Sequence, residues 1–250
     1  MDLIPGAEPW SHTVDEAAPG ALCLHGFTGN PSSMRGVAQA MAAAGFNVEL
    51  PRLPGHGTTV ADMETTGWAD WSAAAEAALS ALAARSTKVV VAGLSMGGTL
   101  TLWLAARHAE LAGIVLVNPL AKPQEPELVD MIKAMVADGT TVFPGIGSDI
   151  AMEGVVESAY LDTPLVPLLS LVDAVVELQP HLSSIHCPVL LMNSPQDHVV
   201  EPANADHVVE SVGGPVERVT LERSYHVATL DYDRDLIEQR ASAFARSATA

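Results

Sequence analysis

Lys88-Val89-Val90-Val91-Ala92-Gly93-Leu94-Ser95-Met96-Gly97-Gly98 is the stretch that decides how this chain is read. A β-branched run of strand character ends in Gly-x-Ser-x-Gly, and the helix-prone segment Thr99–Arg107 follows. A serine on such a sharp strand-to-helix turn sits in strained backbone that pushes its hydroxyl clear of the sheet. Gly93 and Gly97 carry no side chain to collide where strand and helix approach each other. The helix that follows aims its first N–H groups and the positive end of its dipole at developing negative charge. The pattern predicts a nucleophile at Ser95 rather than an ordinary turn serine.

Outward from this turn, short aliphatic runs alternate with Ala-rich segments of helical length. The predicted strands are Ala21–Leu24, Asn47–Leu50, Lys88–Ala92, Gly113–Val117, Val189–Met192 and Val216–Leu221. The predicted helices are Met34–Ala44, Trp68–Ala84, Gly97–His108, Ala203–Val212 and Leu236–Ala245. Near-continuous apolar strands suit a sheet buried on both faces, and the alternation predicts a doubly wound α/β fold with a mainly parallel sheet. The rhythm breaks between Pro119 and about Pro180, where five prolines, a helical piece at Glu127–Ala137 and a Leu/Val-rich run at Leu165–Leu178 replace clear strands. That is too long for an ordinary crossover and too apolar for a disordered linker. The expectation is a single domain over residues 1–250, with a folded insertion at about 120–180 covering the C-terminal edge of the sheet.

Leu22-Cys23-Leu24-His25-Gly26-Phe27-Thr28-Gly29 is an early strand running into a turn. A loop there offers a backbone N–H to an oxyanion, and the residue after the nucleophile offers a second. Phe27 and Met96 are those residues, while His25 reads as a hydrogen-bonded turn histidine, because the hole uses backbone amides. The general base is expected last in the chain, with its carboxylate partner between it and the serine. Asp197 lies in the turn-rich loop after Val189–Met192, and His226 lies just after Val216–Leu221. Both occupy C-terminal strand ends, where open α/β sheets place their sites.

The competing residues fit less well. His198 and His207 precede or lie within a helical stretch, and Asp206, Asp231 and Asp233 read as solvated positions within or just before helices. His56, in Leu53-Pro54-Gly55-His56-Gly57, reads as a structural turn histidine near the site rim. His181 and His186 flank the end of the insertion without a partner pattern. A metal site needs convergent ligands, and no His-x-x-x-His pair falls on a recognisable helix, so no metal is expected.

The chain carries 48% hydrophobic and 17% charged residues, a globular balance, and a formal net charge of −18. Such an acidic chain repels nucleic acid and anionic membrane, which sets nucleic-acid binding aside. Cys23 and Cys187 are too few for a disulfide scaffold or a thiolate zinc site and read as buried free thiols. Met1–Trp10 lacks the basic start and apolar stretch of a secretory signal, and no window offers about 20 consecutive apolar residues for a membrane span. The expected location is the cytoplasm, as a monomer or homodimer.

Together these roles predict acyl transfer: Ser95 attacks, His226 carries the proton, Asp197 fixes its tautomer, and the Phe27 and Met96 amides hold the oxyanion. Water then releases the acyl group, and no cofactor is required.

With those motifs in place, the chain resembles the bacterial carboxylesterase and monoacylglycerol lipase group of the α/β-hydrolase superfamily, over nearly its whole length. The likeness rests on Gly6-Ala7-Glu8-Pro9, His25-Gly26-Phe27-Thr28-Gly29, Pro51-Arg52-Leu53 with Gly55-His56-Gly57, and Gly93-Leu94-Ser95-Met96-Gly97-Gly98-Thr99-Leu100-Thr101-Leu102. It extends through Asp197-His198-Val199-Val200 and Ser224-Tyr225-His226-Val227-Ala228-Thr229-Leu230-Asp231-Tyr232-Asp233. The resemblance implies the α/β-hydrolase fold, the same triad and oxyanion donors, and a small cap made by the insertion after the strand ending near Val117. It implies hydrolysis of monoacylglycerols and short- to medium-chain acyl esters, with general carboxylesterase, thioesterase and C–C bond hydrolase activities as alternatives on the same triad. A non-catalytic small-ligand-binding protein is the alternative from a different class. In this group a cap glutamate contacts the glycerol part of the substrate, and Val156-Glu157-Ser158-Ala159-Tyr160 makes Glu157 its counterpart, against a solvated cap-helix carboxylate. The stretch Ala121–Ile150, which departs most from the group, carries substrate choice.

Overall fold

In the computed structural model, which describes residues 3–250, seven strands make one sheet: β1 (Trp10–His12), β2 (Gly20–Leu24), β3 (Asn47–Leu50), β4 (Val89–Leu94), β5 (Gly113–Val117), β8 (Val189–Asn193) and β9 (Val216–Thr220). A separate hairpin holds β6 (Val142–Pro144) and β7 (Asp162–Pro164). The large sheet runs in the order β1-β3-β2-β4-β5-β8-β9, parallel throughout except for β1, which lies antiparallel on β3. Met1 and Asp2 of the Met1–Trp10 stretch lie outside the described residues.

The apolar strand runs produce two cores because successive side chains point to opposite faces. Leu22, Val89, Val91, Ile114, Leu116 and Leu191 face one layer, with Trp71, Leu79 and Leu82 of α3 (Trp68–Ala83) and Leu100 and Leu104 of α4 (Met96–Ala105). Ala21, Val90, Ala92, Val115, Leu190 and Met192 face the other, with Val37 and Met41 of α1 (Arg35–Ala43) and Ile237 and Ala241 of α8 (Arg234–Thr249). Each such Val, Leu or Ile contributes roughly 1.5–3 kcal/mol by leaving water. β2, β4, β5 and β8 are buried along their whole length, whereas the edge strands β1 and β9 are mostly exposed. The short helices α2 (Val60–Met63) and α7 (Ala203–Ser211) complete the layers.

Between β5 and β8 the chain makes α5 (Pro126–Ala137), the β6–β7 hairpin, α6 (Leu165–Leu178) and a 3-10 segment over Gln179–Ser184. The two three-residue strands there were not expected from sequence, since prolines at Pro144 and Pro164 end each of them. β1 was likewise unexpected; it is short, polar and half open to solvent. Leu165–Ser184 is the one run among the described residues whose length and apolar content would suit a membrane span. Its Leu171, Val175, Leu178 and Leu182 are buried in the core beside α3 and α4, and Asp173 and Glu177 interrupt its open face, as befits a core helix.

The C-terminal ends of the parallel strands share one edge. Phe27 follows β2, Ser95 follows β4, Asn118 follows β5, Asp197 follows β8 and His226 follows β9.

Candidate active site

Ser95 stands between β4 and α4 with φ 56° and ψ −118°, a conformation that L-residues rarely adopt. Its N–H donates to the Val117 carbonyl at 3.0 Å, and its carbonyl accepts from Gly98 at 2.8 Å and Thr99 at 3.1 Å. The bend leaves no room for side chains on either flank. A Cβ on Gly93 would lie 2.0 Å from the Gly97 carbonyl oxygen, and one on Gly97 would lie 2.1 Å from the Leu24 carbonyl oxygen. Both obstacles are backbone, so glycine is required at both places.

Asp197 and His226 are joined. His226 Nδ1 is 2.7 Å from Asp197 Oδ2, and Asp197 Oδ1 accepts from the amides of Val199 and Val200 at 2.8 Å each. Both side chains are nearly closed to solvent. An acceptor at Nδ1 requires the proton to be there, leaving the Nε2 lone pair free. Ser95 and His226 line one cleft of about 220 Å³ together with Phe27, Asp149, Glu157, Leu168 and Val199. Among the described residues no hydrogen bond links the Ser95 hydroxyl to His226, as is common before substrate closes such a site.

The loop after β2 presents Phe27 to the same cleft. Among the described residues neither the Phe27 nor the Met96 amide donates to a protein acceptor. His25 beneath this loop is fully buried, donating from Nδ1 to the Gly26 carbonyl at 3.0 Å and accepting from the Leu53 amide at Nε2, at 3.1 Å. Burial and the neighbouring His56 hold its pKa well below the ordinary value, so it stays neutral. His56 is also buried, with its pKa lowered to about 4 by burial, and its Nδ1 donates to the Pro54 carbonyl at 2.9 Å. It packs edge-on to Phe27 and Trp71, which shapes the loop rather than the cleft floor.

Glu157 comes from the insertion and folds over Gly29, where an added Cβ would lie 2.8 Å from Glu157 Oε1. Its carboxyl is not on an open surface: burial raises its pKa to about 7, with the charge of His226 acting in the opposite direction. The Glu157 amide donates to Ser148 Oγ at 2.8 Å, and Tyr160 spans to the neighbouring loop, accepting from the Thr58 amide and donating to the Gly55 carbonyl, both at 2.8 Å.

Four polar residues at this edge escaped the sequence reading. Asn118 donates to the His226 carbonyl at 2.8 Å and accepts from the Ser194 amide at 2.8 Å. Asp149 accepts the His226 amide at 3.0 Å, the His198 amide at 3.1 Å and His198 Nδ1 at 2.8 Å. Asp231 and Asp233, expected to be solvated, are buried. Asp231 accepts from the amides of Ala151, Met152, Tyr225 and Tyr232, and Asp233 accepts from the Arg223 amide and the Ser224 hydroxyl. An irregular loop buried at a sheet edge needs acceptors for its orphan N–H groups, and these carboxylates supply them. Among the described residues no group of three or more His, Cys, Asp or Glu converges as a metal site would. Burial pushes the Cys23 thiol up to about 12 and the Cys187 thiol up to about 11, so neither is a thiolate nucleophile.

Comparison with known proteins gives the family and the fold. The profile of the alpha/beta hydrolase family matches residues 21–239. The thermostable monoacylglycerol lipase of Bacillus sp. (strain H-257) is 42% identical over 246 residues, covering 97% of this chain and 95% of that protein. The carboxylesterase of Bacillus subtilis (strain 168) is 27% identical over 223 residues, covering 87% of this chain and 88% of that protein. Among solved structures, one from work on LipS and LipT, two metagenome-derived lipolytic enzymes, superposes with a TM-score of 0.92 at 41% identity, covering 98% of this chain and 100% of that one.

Proposed function

The chain belongs to the alpha/beta hydrolase family and hydrolyses carboxylic esters, and we propose that it does so through an acyl-enzyme on Ser95 with monoacylglycerols and short- to medium-chain acyl esters as substrates. The observation that carries the reading is one cleft lined by Ser95, by His226 with its Asp197 partner, and by Glu157 from the insertion.

Ser95 Oγ attacks the acyl carbonyl carbon while its proton passes to His226 Nε2. The carbonyl oxygen becomes an oxyanion and accepts from the free amides of Phe27 and Met96, each worth about 2.7–4 kcal/mol in the transition state. Met96 opens α4, so the positive end of the helix dipole adds to the same stabilisation. The tetrahedral centre collapses, the alcohol leaves with the proton from His226, and the acyl group stays on Ser95. Water then attacks, His226 takes its proton, and the carboxylic acid is released. Asp197 stabilises the imidazolium and keeps the histidine in its working tautomer.

Substrate choice follows from the walls. Ile146, Leu168, Val199 and Val227 offer an apolar side to the acyl chain, each buried methylene contributing about 0.8 kcal/mol. Glu157 is a polar group on the insertion side, suited to the glycerol hydroxyls. Initial rates on monoacylglycerols and on matched p-nitrophenyl esters, for wild type and Glu157→Gln, test this. A selective loss on monoacylglycerols supports the reading; an equal effect on both series makes the protein a general carboxylesterase.

A further inference from the structure

We propose that Asp149 is a positioning residue for the proton relay, holding the His226 backbone from the insertion and placing an anion beside the imidazolium that forms when Ser95 loses its proton. The proposal rests on the relay reading of Ser95, Asp197 and His226 given above.

The His226 peptide is gripped on both sides. Asp149 Oδ2 accepts its N–H at 3.0 Å, and Asn118 Nδ2 donates to its carbonyl at 2.8 Å. The Asp149 carbonyl also accepts the Val227 N–H at 3.1 Å, so two successive residues of the histidine loop hang on one residue of the insertion. The same carboxylate takes the amide and the ring Nδ1 of His198, immediately after Asp197. One buried side chain therefore joins the insertion, the loop carrying the carboxylate partner and the loop carrying the base.

A neutral acceptor would satisfy these amides at lower desolvation cost than a buried carboxylate, so the charge itself calls for a role. Asp149 is 8% exposed and lines the cleft beside His226. The titratable groups facing His226 are Asp197 from the loop after β8, Asp149 and Glu157 from the insertion, and His198 hydrogen-bonded to Asp149. On its own loop, Arg223 is paired with Asp233, and Asp231 is committed to backbone amides. An anion so placed favours the charged form of the imidazole.

The test is the pH profile of kcat/KM on a p-nitrophenyl ester for wild type, Asp149→Asn, Asp149→Ala, Asp231→Ala and His226→Ala, with melting temperatures alongside. Both amides sit on Asp149 Oδ2 and the His198 ring on Oδ1, so Asp149→Asn keeps the amides on its oxygen, turns its NH2 to the ring and loses the charge alone. Its acidic limb is expected to move down by roughly half a pH unit, since a nearby anion is lost. Asp149→Ala also drops the His226 amide and is expected to lower kcat by about tenfold or more while KM changes less than about twofold, because a displaced base misaligns the transfer. Asp231→Ala, which frees amides of the same two segments without touching His226, is expected to lower the melting temperature and leave the limb in place. An Asp149→Asn limb superimposed on wild type, or an Asp149→Ala rate loss no larger than that of Asp231→Ala, overturns the proposal. Full activity in His226→Ala overturns the relay reading instead. If Asp149→Ala does not fold, the Asp149→Asn limb decides.

Discussion

Asp197 gives one carboxylate oxygen to His226 Nδ1, at 2.7 Å, and the other to the amides of Val199 and Val200. The two amides fix which way any replacement must face. In Asp197→Asn the side-chain oxygen keeps the amides and the NH2 turns to the histidine, forcing the ring proton onto Nε2, toward Ser95. The base is then in the wrong tautomer, and kcat falls on the order of 10⁴-fold with KM little changed. Steady-state kinetics on a soluble ester measures this, and a loss below tenfold contradicts it.

Glu157 links pH to stability. Its carboxyl is raised to about 7 by burial, so the folded state holds a proton that the unfolded chain releases near the ordinary value of 4.5. The stabilisation from the neutral form is complete below about 4.5 and is lost as pH rises through about 7. Glu157→Gln has no proton to lose. It is expected to match wild type at pH 4.5 and to exceed it by about 1–3 kcal/mol at pH 8. Calorimetric melting across that range checks the sign, and a difference independent of pH refutes it.

Gly97→Ala puts a methyl group into the Leu24 carbonyl, 2.1 Å from the oxygen. Neither the strand nor the helix can yield without moving Ser95. We expect a loss of about 3 kcal/mol or more and no measurable turnover in whatever folds. Urea titration gives the first quantity and fluorophosphonate labelling the second.

Tyr160→Phe removes the hydroxyl shared by the Thr58 amide and the Gly55 carbonyl. Both backbone groups lose a buried partner, at a cost of about 1–3 kcal/mol. Because Tyr160 also lines the cleft, KM for the acyl substrate is expected to rise more than kcat falls. Thermal melting and ester kinetics on the same preparation test both effects.

The parts of this site that were legible in sequence are those fixed by local backbone. Ser95 announces itself because a strand, two glycines and a helix must meet there, and Asp197 and His226 each follow the C-terminal end of a strand. Asp149 and Asn118 gave no such signal. Asp149 lies in irregular chain of the insertion, and its acceptor role exists only because the His226 loop folds back from 77 residues away. Asp231 and Asp233 were misread for a related reason: helix-boundary aspartates are usually solvated, and only tertiary burial turns them into acceptors. The Leu/Val-rich run at Leu165–Leu178 turned out to be helix α6, whereas β6 and β7 gave no signal at all, since three-residue strands ending in proline carry no period.

The central claim, that Ser95 carries the acyl group, is tested most directly by fatty-acid release from a monoacylglycerol by purified wild type and Ser95→Ala. The account predicts steady release by wild type and, for Ser95→Ala, a rate lower by on the order of 10⁶-fold, near the background that the oxyanion amides alone sustain. Release by Ser95→Ala within about a hundredfold of wild type would contradict it and place the nucleophile elsewhere in the cleft.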